Sequence, residues 1–271
     1  MAGPQSVSPA EPIAPFAGGK RLLARRIIGR IEAIPHKCYA EPFAGMGGVF
    51  LRRRLRPKSE IINDINGEIV NLYRILREHP AALEASLGLI LPARAEWERL
   101  LRTSPDTLTD IQRAARWVFL QRQSYGGVVA DRASSGDFAP GTDGPARLHP
   151  ERLTRLVRRA HVRLQRVHIE SLDWHDFIRR YDRPHTLFYL DPPYWGHETD
   201  YGKGMFAREC FGQMAEQLAG IQGRFIMSIN DRPEIRKLFT WARIEEVGTK
   251  YTKAGKDMQR AKSVTELLIS G

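Results

Sequence analysis

An acid, two prolines and a tyrosine follow one another at Asp191-Pro192-Pro193-Tyr194, directly after the apolar run Thr186 to Leu190. The run predicts a buried strand, and an open α/β sheet places its chemistry at the carboxyl ends of such strands. The carboxylate of Asp191 and the carbonyl of Pro192 can both accept hydrogen bonds from one planar –NH2 group, while Tyr194 can stack on a flat ring. The motif therefore indicates a site for a nucleobase amine; the alternative is a structural turn fixed by the prolines.

A glycine-rich loop lies earlier in the chain, between two further predicted strands. The strand Cys38 to Glu41 leads into the loop Pro42 to Gly48, and the strand Glu60 to Asn63 ends at Asp64. We expect a helix from Val49 onward, whose first N–H groups would face a ligand. An acid about twenty residues beyond such a loop is how Rossmann-like folds bind a nucleoside, although the GxGxxG spacing is missing. The alternatives are a loop shaped by packing and, for Asp64, a helix N-cap.

Two shorter motifs are candidates for the same site. Phe16 and Lys20 flank a Gly-Gly turn, where the ring could cover an adenine or a sulfonium and the ammonium could bind a carboxylate. Asp173 and Trp174 follow the predicted strand Val167 to Glu170 and would lie at the same sheet edge. The alternatives are a plain turn for the first motif and a core tryptophan in the second.

The order of the predicted elements is that of an α/β protein. An amphipathic helix from Lys20 to Ile34 precedes the first strand, and two more buried strands, Phe225 to Ile229 and Ser263 to Ser270, come late in the chain. Between about His79 and Pro150 the pattern changes to two helices, followed by a stretch rich in Gly, Ser and Asp that could form a hairpin.

We therefore predict a Rossmann-like, doubly wound α/β sheet that carries an inserted, mainly helical domain. The expected organisation is a flexible leader, a first part of the main domain, the insertion and a second part, at residues 1–12, 13–79, 80–150 and 151–271.

Composition favours a polyanionic partner. The 271 residues include 42 Lys and Arg against 31 Asp and Glu, which gives a net charge of +11, and nucleic acid is the natural polyanion to consider. The arginine runs Arg52 to Arg54 and Glu151 to Val167 are either solvated faces or phosphate contacts. Neither a signal sequence nor a membrane-spanning run is visible, and the two cysteines lack metal-like spacing, so we expect a cytoplasmic protein that associates with the nucleoid.

Four motifs in this order closely resemble those of the Dam-like, D12-class DNA adenine-N6 methyltransferases. They are Pro15 to Lys20, Glu41 to Phe50, Asn63 to Asn66 and Asp191 to Tyr194. The resemblance covers roughly residues 13–79 and 151–271, and the stretch between them corresponds in place to that family's target-recognition domain.

The resemblance implies S-adenosylmethionine as cofactor, S-adenosylhomocysteine as its product and double-stranded DNA as partner. We expect no metal, because the cofactor already carries its leaving group and the sequence shows no His/Cys cluster, and we favour a monomer. The implied cofactor contacts are Phe16, Ala17, Gly18, Lys20, Phe43, Ala44, Gly45, Met46, Gly47, Asp64, Ile65, Asp173, Trp174 and Asp191. The implied catalytic residues are Asp191, Pro192, Pro193 and Tyr194. The implied DNA contacts are Arg122, Gln123, Tyr125, Arg132 and Lys203.

Three readings of function stay open at this point. The first is transfer of a methyl group to the amine of a flipped adenine that stacks on Tyr194 and binds Asp191 and Pro192. The second is methylation of another amine, in RNA or in a protein amide. The third is a DNA-binding relative that has lost catalysis, against which the intact motif and glycine loop argue.

Overall fold

A computed structural model describes residues 3–16, 20, 22–124, 138, 148–198, 206–250 and 263–271. Seven of its strands form one sheet in the order β5-β4-β2-β6-β7-β9-β8, in which the first five are parallel and β9 runs antiparallel to both of its neighbours. The strands are β2 (Cys38–Glu41), β4 (Ser59–Asn63), β5 (His168–Glu170), β6 (Thr186–Leu190), β7 (Arg224–Asn230), β8 (Arg243–Lys250) and β9 (Ser263–Ser270). The predicted α/β sheet is confirmed.

The central strands are apolar on both faces because helices cover both faces of the sheet. Along β6, Leu187 and Tyr189 join one apolar cluster, whereas Phe188 and Leu190 join a second cluster on the opposite face. Successive side chains of a strand point to opposite faces, so the two clusters are the two layers of a doubly wound fold. The outer strand β5 is only half-buried, unlike the buried strand expected there.

Helices divide between these two layers. The first layer contains α1 (Ala24–Ala33), α2 (Gly67–Glu78), α3 (Pro80–Leu89), α4 (Arg94–Arg102), α5 (Asp110–Gln123) and α6 (Pro150–Leu164). The second contains α7 (Trp174–Tyr181), α8 (Cys210–Ala219) and α9 (Pro233–Leu238). The helices of the expected insertion, α3 to α5, share one continuous apolar cluster with α1 and α2, and the proposed domain limits stay a prediction.

The prediction of a helix from Val49 onward is wrong. Only a three-residue 3-10 turn, Phe50–Arg52, follows the glycine loop. Arg53 then takes an extended conformation, with ψ at 141°, and its buried guanidinium binds the carboxylate of Glu60 at 2.9 Å. This buried ion pair holds the chain against β4, and the 3-10 turn does not continue past Arg52.

The stretch expected to be a flexible leader is described from Gly3 onward, and its limits as a separate segment stay a prediction. Its residues form β1 (Gln5–Ser6), which pairs with the short strand β3 (Leu55–Arg56), and the backbone of Ala10 bonds to Leu51. Ala10 and the following Ile13 are each 2 % exposed, so apolar burial holds this segment on the domain. No helix in the described part of the chain is long and apolar enough to cross a membrane.

Candidate active site

A large cavity lies where the carboxyl ends of β2, β4 and β6 meet. Its volume is about 1030 Å3, and Glu41, Asn63 and Asp191, which end or follow these three strands, all line it. Sheet order reverses here, since the chain runs outward from β2 to β4 and β5 and then returns to the other side as β6. Ligands bind at such a switch point in open α/β sheets.

We call the part of this cavity lined by Lys20, Glu41, Asp64 and Asp191 its floor, and Tyr194 is bonded to Lys20 beside it. Lys20 Nζ lies 2.6 Å from Asp191 Oδ1 and donates a hydrogen bond of 2.8 Å to Tyr194 Oη. Ser228 of the neighbouring strand β7 donates to the same Oδ1 at 3.2 Å, and its hydroxyl lies 2.8 Å from that of Tyr189. The acid and the aromatic of the motif are therefore held by partners distant in sequence.

Burial raises the pKa of Asp191, and the adjacent Lys20 ammonium opposes that shift. The carboxyl group has lost much of its hydration, which disfavours the charged form, while the cation favours it. The acid is thus a desolvated acceptor with its own counter-ion.

The turn after Tyr194 is clamped from β7. Asn230 accepts a hydrogen bond from the backbone N–H of Trp195 at 2.9 Å and donates one to the carbonyl of Trp195 at 3.0 Å. The N–H of His197 bonds to the carbonyl of Tyr194 at 2.8 Å. The backbone that carries the tyrosine is fixed in this way, a role for Asn230 that the sequence did not reveal.

The glycine loop is tied to the end of β4 through Asp64. The carboxylate of Asp64 accepts the N–H of Gly45 at 2.8 Å and the N–H of Asn66 at 2.9 Å, while Tyr73 donates to the carbonyl of Gly45 at 2.8 Å. Asn66, and not Asp64, is the N-cap of α2. Asp64 therefore shapes the loop and still lines the cavity.

Two glycines of the loop need left-handed backbone conformations, with φ at +49° for Gly45 and +73° for Gly47. A Cβ at Gly45 would lie 3.3 Å from the ring of Phe16, so the ring rests directly on the loop. A Cβ at Gly47 would lie 2.8 Å from Leu51 and from the hydroxyl of Tyr73, beneath the loop. Gly45 lines the cavity and Gly47 does not.

Two further carboxyl groups of the floor have raised pKa values. Burial raises the pKa of Glu41 to about 8, although the hydroxyl of Tyr39 donates to it at 2.5 Å. Burial likewise raises the pKa of Asp64 to about 6. Glu41 received no role from the sequence, although its place at the end of an apolar strand, just before the loop, was the available signal.

One wall of the cavity is aromatic. Trp174 is 5 % exposed and packs against Phe206 with ring centroids 6.4 Å apart, and Phe43 meets Phe206 edge-on at 6.0 Å. Asp173, the N-cap of α7, accepts the N–H of His175 at 2.9 Å and lines the same wall. Trp174 thus belongs to both the core and the cavity, and Phe206 is a wall residue that the sequence did not indicate.

Arginines collect at the opposite side, which we call the arginine rim: Arg122 from the end of α5 and Arg152 and Arg155 from the start of α6. Arg122 donates to the carbonyl of Ile13 at 2.8 Å. Burial, and then repulsion from Arg152, lower the pKa of Arg122 to about 10. Like charges therefore lie close together at this mouth.

Most of the residues predicted for the site line this one cavity. Of the implied cofactor contacts, those that do so are Phe16, Lys20, Phe43, Ala44, Gly45, Met46, Asp64, Ile65, Asp173, Trp174 and Asp191. Of the predicted catalytic residues, Asp191 and Pro193 line it, whereas the buried Pro192 and the half-buried Tyr194 do not.

The predicted DNA contacts are only partly described. Arg122 is on the rim, whereas Gln123 is buried with 2 % exposure. Outside the described residues lie the other predicted DNA contacts, Tyr125, Arg132 and Lys203. The same holds for two predicted cofactor contacts, Ala17 and Gly18. Within the described ranges, no group of three or more His, Cys, Asp or Glu side chains could hold a metal ion.

Comparison with known proteins agrees with this geometry. The chain is 25 % identical to the type II methyltransferase M1.LlaDCHI of Lactococcus lactis subsp. cremoris, over 96 % of this chain and 94 % of that protein. It is 26 % identical to the DNA adenine methylase of Salmonella typhi, over 93 % and 92 % of the two chains. It is 22 % identical to the type II methyltransferase M.CviBI of Paramecium bursaria Chlorella virus NC1A, over 84 % and 86 %.

The family model described as the D12 class N6 adenine-specific DNA methyltransferases matches residues 16–253. That span contains the motif at Asp191 to Tyr194, the glycine loop and Lys20, and Asp191, Gly45 and Lys20 from these segments line the cavity. The chain belongs to the D12 class of N6 adenine-specific DNA methyltransferases.

Proposed function

We propose that this chain transfers a methyl group from S-adenosylmethionine to N6 of a flipped-out adenine in DNA, with Asp191 as the acceptor-binding carboxylate. The observation that carries the proposal is the contact of Lys20 with both Asp191, which lines the cavity, and Tyr194 of the same motif. Family membership supports the reaction class, and the roles of the residues follow from their contacts.

The donor set of the cavity suits this cofactor. Asp64 offers a carboxylate for ribose hydroxyls, Phe16 and Trp174 offer rings for an adenine, and Asp173 offers a second acceptor nearby. A volume of about 1030 Å3 stands at the upper end of the range for ligand cavities, which gives room for a cofactor and a base together. When bound, S-adenosylmethionine supplies an electrophilic methyl group on a sulfonium.

The acceptor side uses the rigid motif. Asp191 and the carbonyl of Pro192 would accept the two N6 protons and so orient the lone pair of the amine, while Tyr194 would stack on the flipped base. Flipping costs a few kcal/mol, and stacking on an aromatic ring offsets part of that cost. The carboxylate of Asp191 would also stabilise the cationic amine and take its surplus proton.

The DNA backbone would approach from the arginine rim. Arg152 and Arg155 are exposed and lie on the same face of α6, three residues apart, beside Arg122. A flipped nucleotide brings its base into the cavity and leaves its two phosphates at the mouth, where these guanidinium groups would bind them. The expected role of residues 80–150 as a target-recognition insertion is part of this proposal.

The test is methyl transfer to unmethylated genomic DNA from S-adenosylmethionine with a tritiated methyl group. We expect label in N6-methyladenine after nuclease digestion, at a defined sequence when the product is mapped by single-molecule sequencing, and no label with an Asp191→Ala variant of intact fold. Label in RNA or in protein amide, with none in DNA, would replace the proposed acceptor. Undiminished labelling by Asp191→Ala would remove the proposed mechanism.

A further inference from the structure

Lys20 is the most buried cation of the cavity. Its side chain is 2 % exposed, and its ammonium contacts Asp191 Oδ1 at 2.6 Å and Tyr194 Oη at 2.8 Å. The same nitrogen lies 4.5 Å from the centroid of the Tyr194 ring. One ammonium therefore joins the group that would bind the amine to the group that would carry the base.

Lys20 and Ser228 both contact the Asp191 carboxylate at its Oδ1 atom. A carboxylate held firmly through one oxygen presents its second oxygen in a fixed direction. On the tyrosine, Lys20 holds the hydroxyl while Asn230 holds the backbone of the next residue. The position of the ring is thereby constrained from two sides.

We propose that Lys20 is a positioning residue of the transfer reaction, which fixes Asp191 relative to Tyr194 and keeps Asp191 a carboxylate for the incoming amine. The inference rests on the proposed function and deepens it. It differs from the role that family resemblance implies, a direct contact with the cofactor, because the lysine is directed at the acceptor side of the site.

The charges around Asp191 explain why loss of the Lys20 ammonium should change its protonation. Among the described groups that interact with Asp191, Glu266 and Glu41 are acids, Tyr189 and Ser228 carry neutral hydroxyls, and Lys20 is a cation. Burial and Glu266 raise the pKa of Asp191, whereas Lys20 and the hydroxyl of Ser228 lower it. Loss of the ammonium would leave a buried acid among other acids, which favours its protonated form.

The experiment compares wild type, Lys20→Met and Lys20→Arg in labelled methyl transfer to DNA, with kcat, the KM for S-adenosylmethionine and the pH dependence of kcat/KM. For Lys20→Met we expect kcat to fall by about 100-fold and the acid limb to move up by about 1 to 3 pH units, as when an acid loses an adjacent cation. The KM for S-adenosylmethionine should stay within about threefold. Lys20→Arg, which keeps the charge, should restore the acid limb.

Arg122→Met is the matched control, because it removes a cation that lines the same cavity without contacting Asp191. Its acid limb should match that of wild type while its affinity for DNA falls. A Tyr194→Phe variant keeps the ring, removes the bond to Lys20 and should lower kcat without changing the KM for the cofactor, which keeps the test available if Lys20→Met does not fold.

A Lys20→Met variant with a KM for S-adenosylmethionine raised tenfold or more and an unmoved acid limb would overturn the inference and assign Lys20 to the cofactor. That outcome would leave the proposed function intact, since wild type is active in the same assay. An inactive wild type would overturn both.

Discussion

The floor and the arginine rim of the cavity differ in whether their charged groups have partners of opposite charge or neighbours of like charge. On the floor, Lys20 is paired with Asp191, and Asp64 accepts two backbone N–H groups. On the rim, Arg122 and Arg152 repel each other. A floor with paired charges holds its geometry before any ligand arrives, whereas clustered like charges favour the binding of an anion. The contrast predicts that floor residues control the rate of transfer and rim residues control affinity for DNA.

The largest effect is expected from Asp191→Ala. Removal of the acceptor-binding carboxylate should lower the single-turnover rate by about 10^3-fold, within the range for a positioned proton acceptor, and leaves Lys20 without its anion. Rapid-quench measurement with labelled cofactor gives the rate, and DNA affinity is expected to stay within about threefold. A loss of less than tenfold would mean that the acid is not part of the chemistry.

Two substitutions at Tyr194 should separate the role of its ring in stacking from the role of its hydroxyl in positioning. Tyr194→Ala removes the ring, which is worth about 1–3 kcal/mol per stacked base, or about 5- to 150-fold in binding of the flipped adenine. Tyr194→Phe keeps the ring and should lose far less. Fluorescence of a 2-aminopurine placed at the target position reports flipping, and equal signals from the two variants would argue against stacking on this ring.

On the rim, the double change Arg152→Ala and Arg155→Ala should weaken DNA binding and flatten its salt dependence. Each lost phosphate contact lowers the slope of log K against log salt by about 0.9, so the pair should lower it by about 1.8. Binding titrations at several salt concentrations measure this slope.

The matched control is Arg158→Ala with Arg159→Ala, on the same helix and with the same change in charge, at the side where Arg158 pairs with Glu84. Neither residue lines the cavity. If both double variants reduce the slope equally, the effect comes from general charge and not from the rim.

The remaining effect concerns stability rather than methyl transfer or DNA binding. The folded-state pKa of Glu41 is about 8 against an ordinary value of 4.5, so the folded chain holds this proton more tightly than the unfolded chain. Stability of the ligand-free protein should therefore fall as pH rises from about 5 to 8, and Asp64, with a pKa of about 6, acts in the same direction.

Thermal melts of wild type and Glu41→Gln across this range check the sign. The variant has no proton to lose at position 41, so its melting temperature should depend less on pH. A melting temperature that depends on pH as steeply in Glu41→Gln as in wild type would show that Glu41 is not the responsible group.

Local sequence patterns predicted the centre of the sheet because its strands are continuous apolar runs. Cys38–Glu41 has the predicted limits, and Thr186–Leu190 is buried throughout and ends at Asp191. The edge strand Arg243–Lys250 was missed because charged residues interrupt its apolar pattern. The helix Pro80–Leu89 was missed as well, since its apolar residues do not follow one face.

The site was predicted residue by residue but not contact by contact. The glycine loop and Asp64 could be found from spacing, whereas the bond from Lys20 to Tyr194 joins residues 174 positions apart. Ser228 can bond to Asp191, and Asn230 to the backbone of Trp195, because β7 lies beside β6. This strand order is set by packing of the whole domain. The prediction of a helix after Val49 was wrong for a similar reason, because a buried ion pair joins Arg53 to Glu60.

The most direct test of this account is the single-turnover rate of methyl transfer as DNA is raised to saturation, for wild type, Asp191→Ala and the Arg152→Ala, Arg155→Ala double variant. The account predicts that the rim variant reaches the wild-type rate at higher DNA concentration, while Asp191→Ala stays about 10^3-fold slower at any concentration. Recovery of Asp191→Ala at saturating DNA, or a rim variant that remains slow there, would contradict the division between floor and rim.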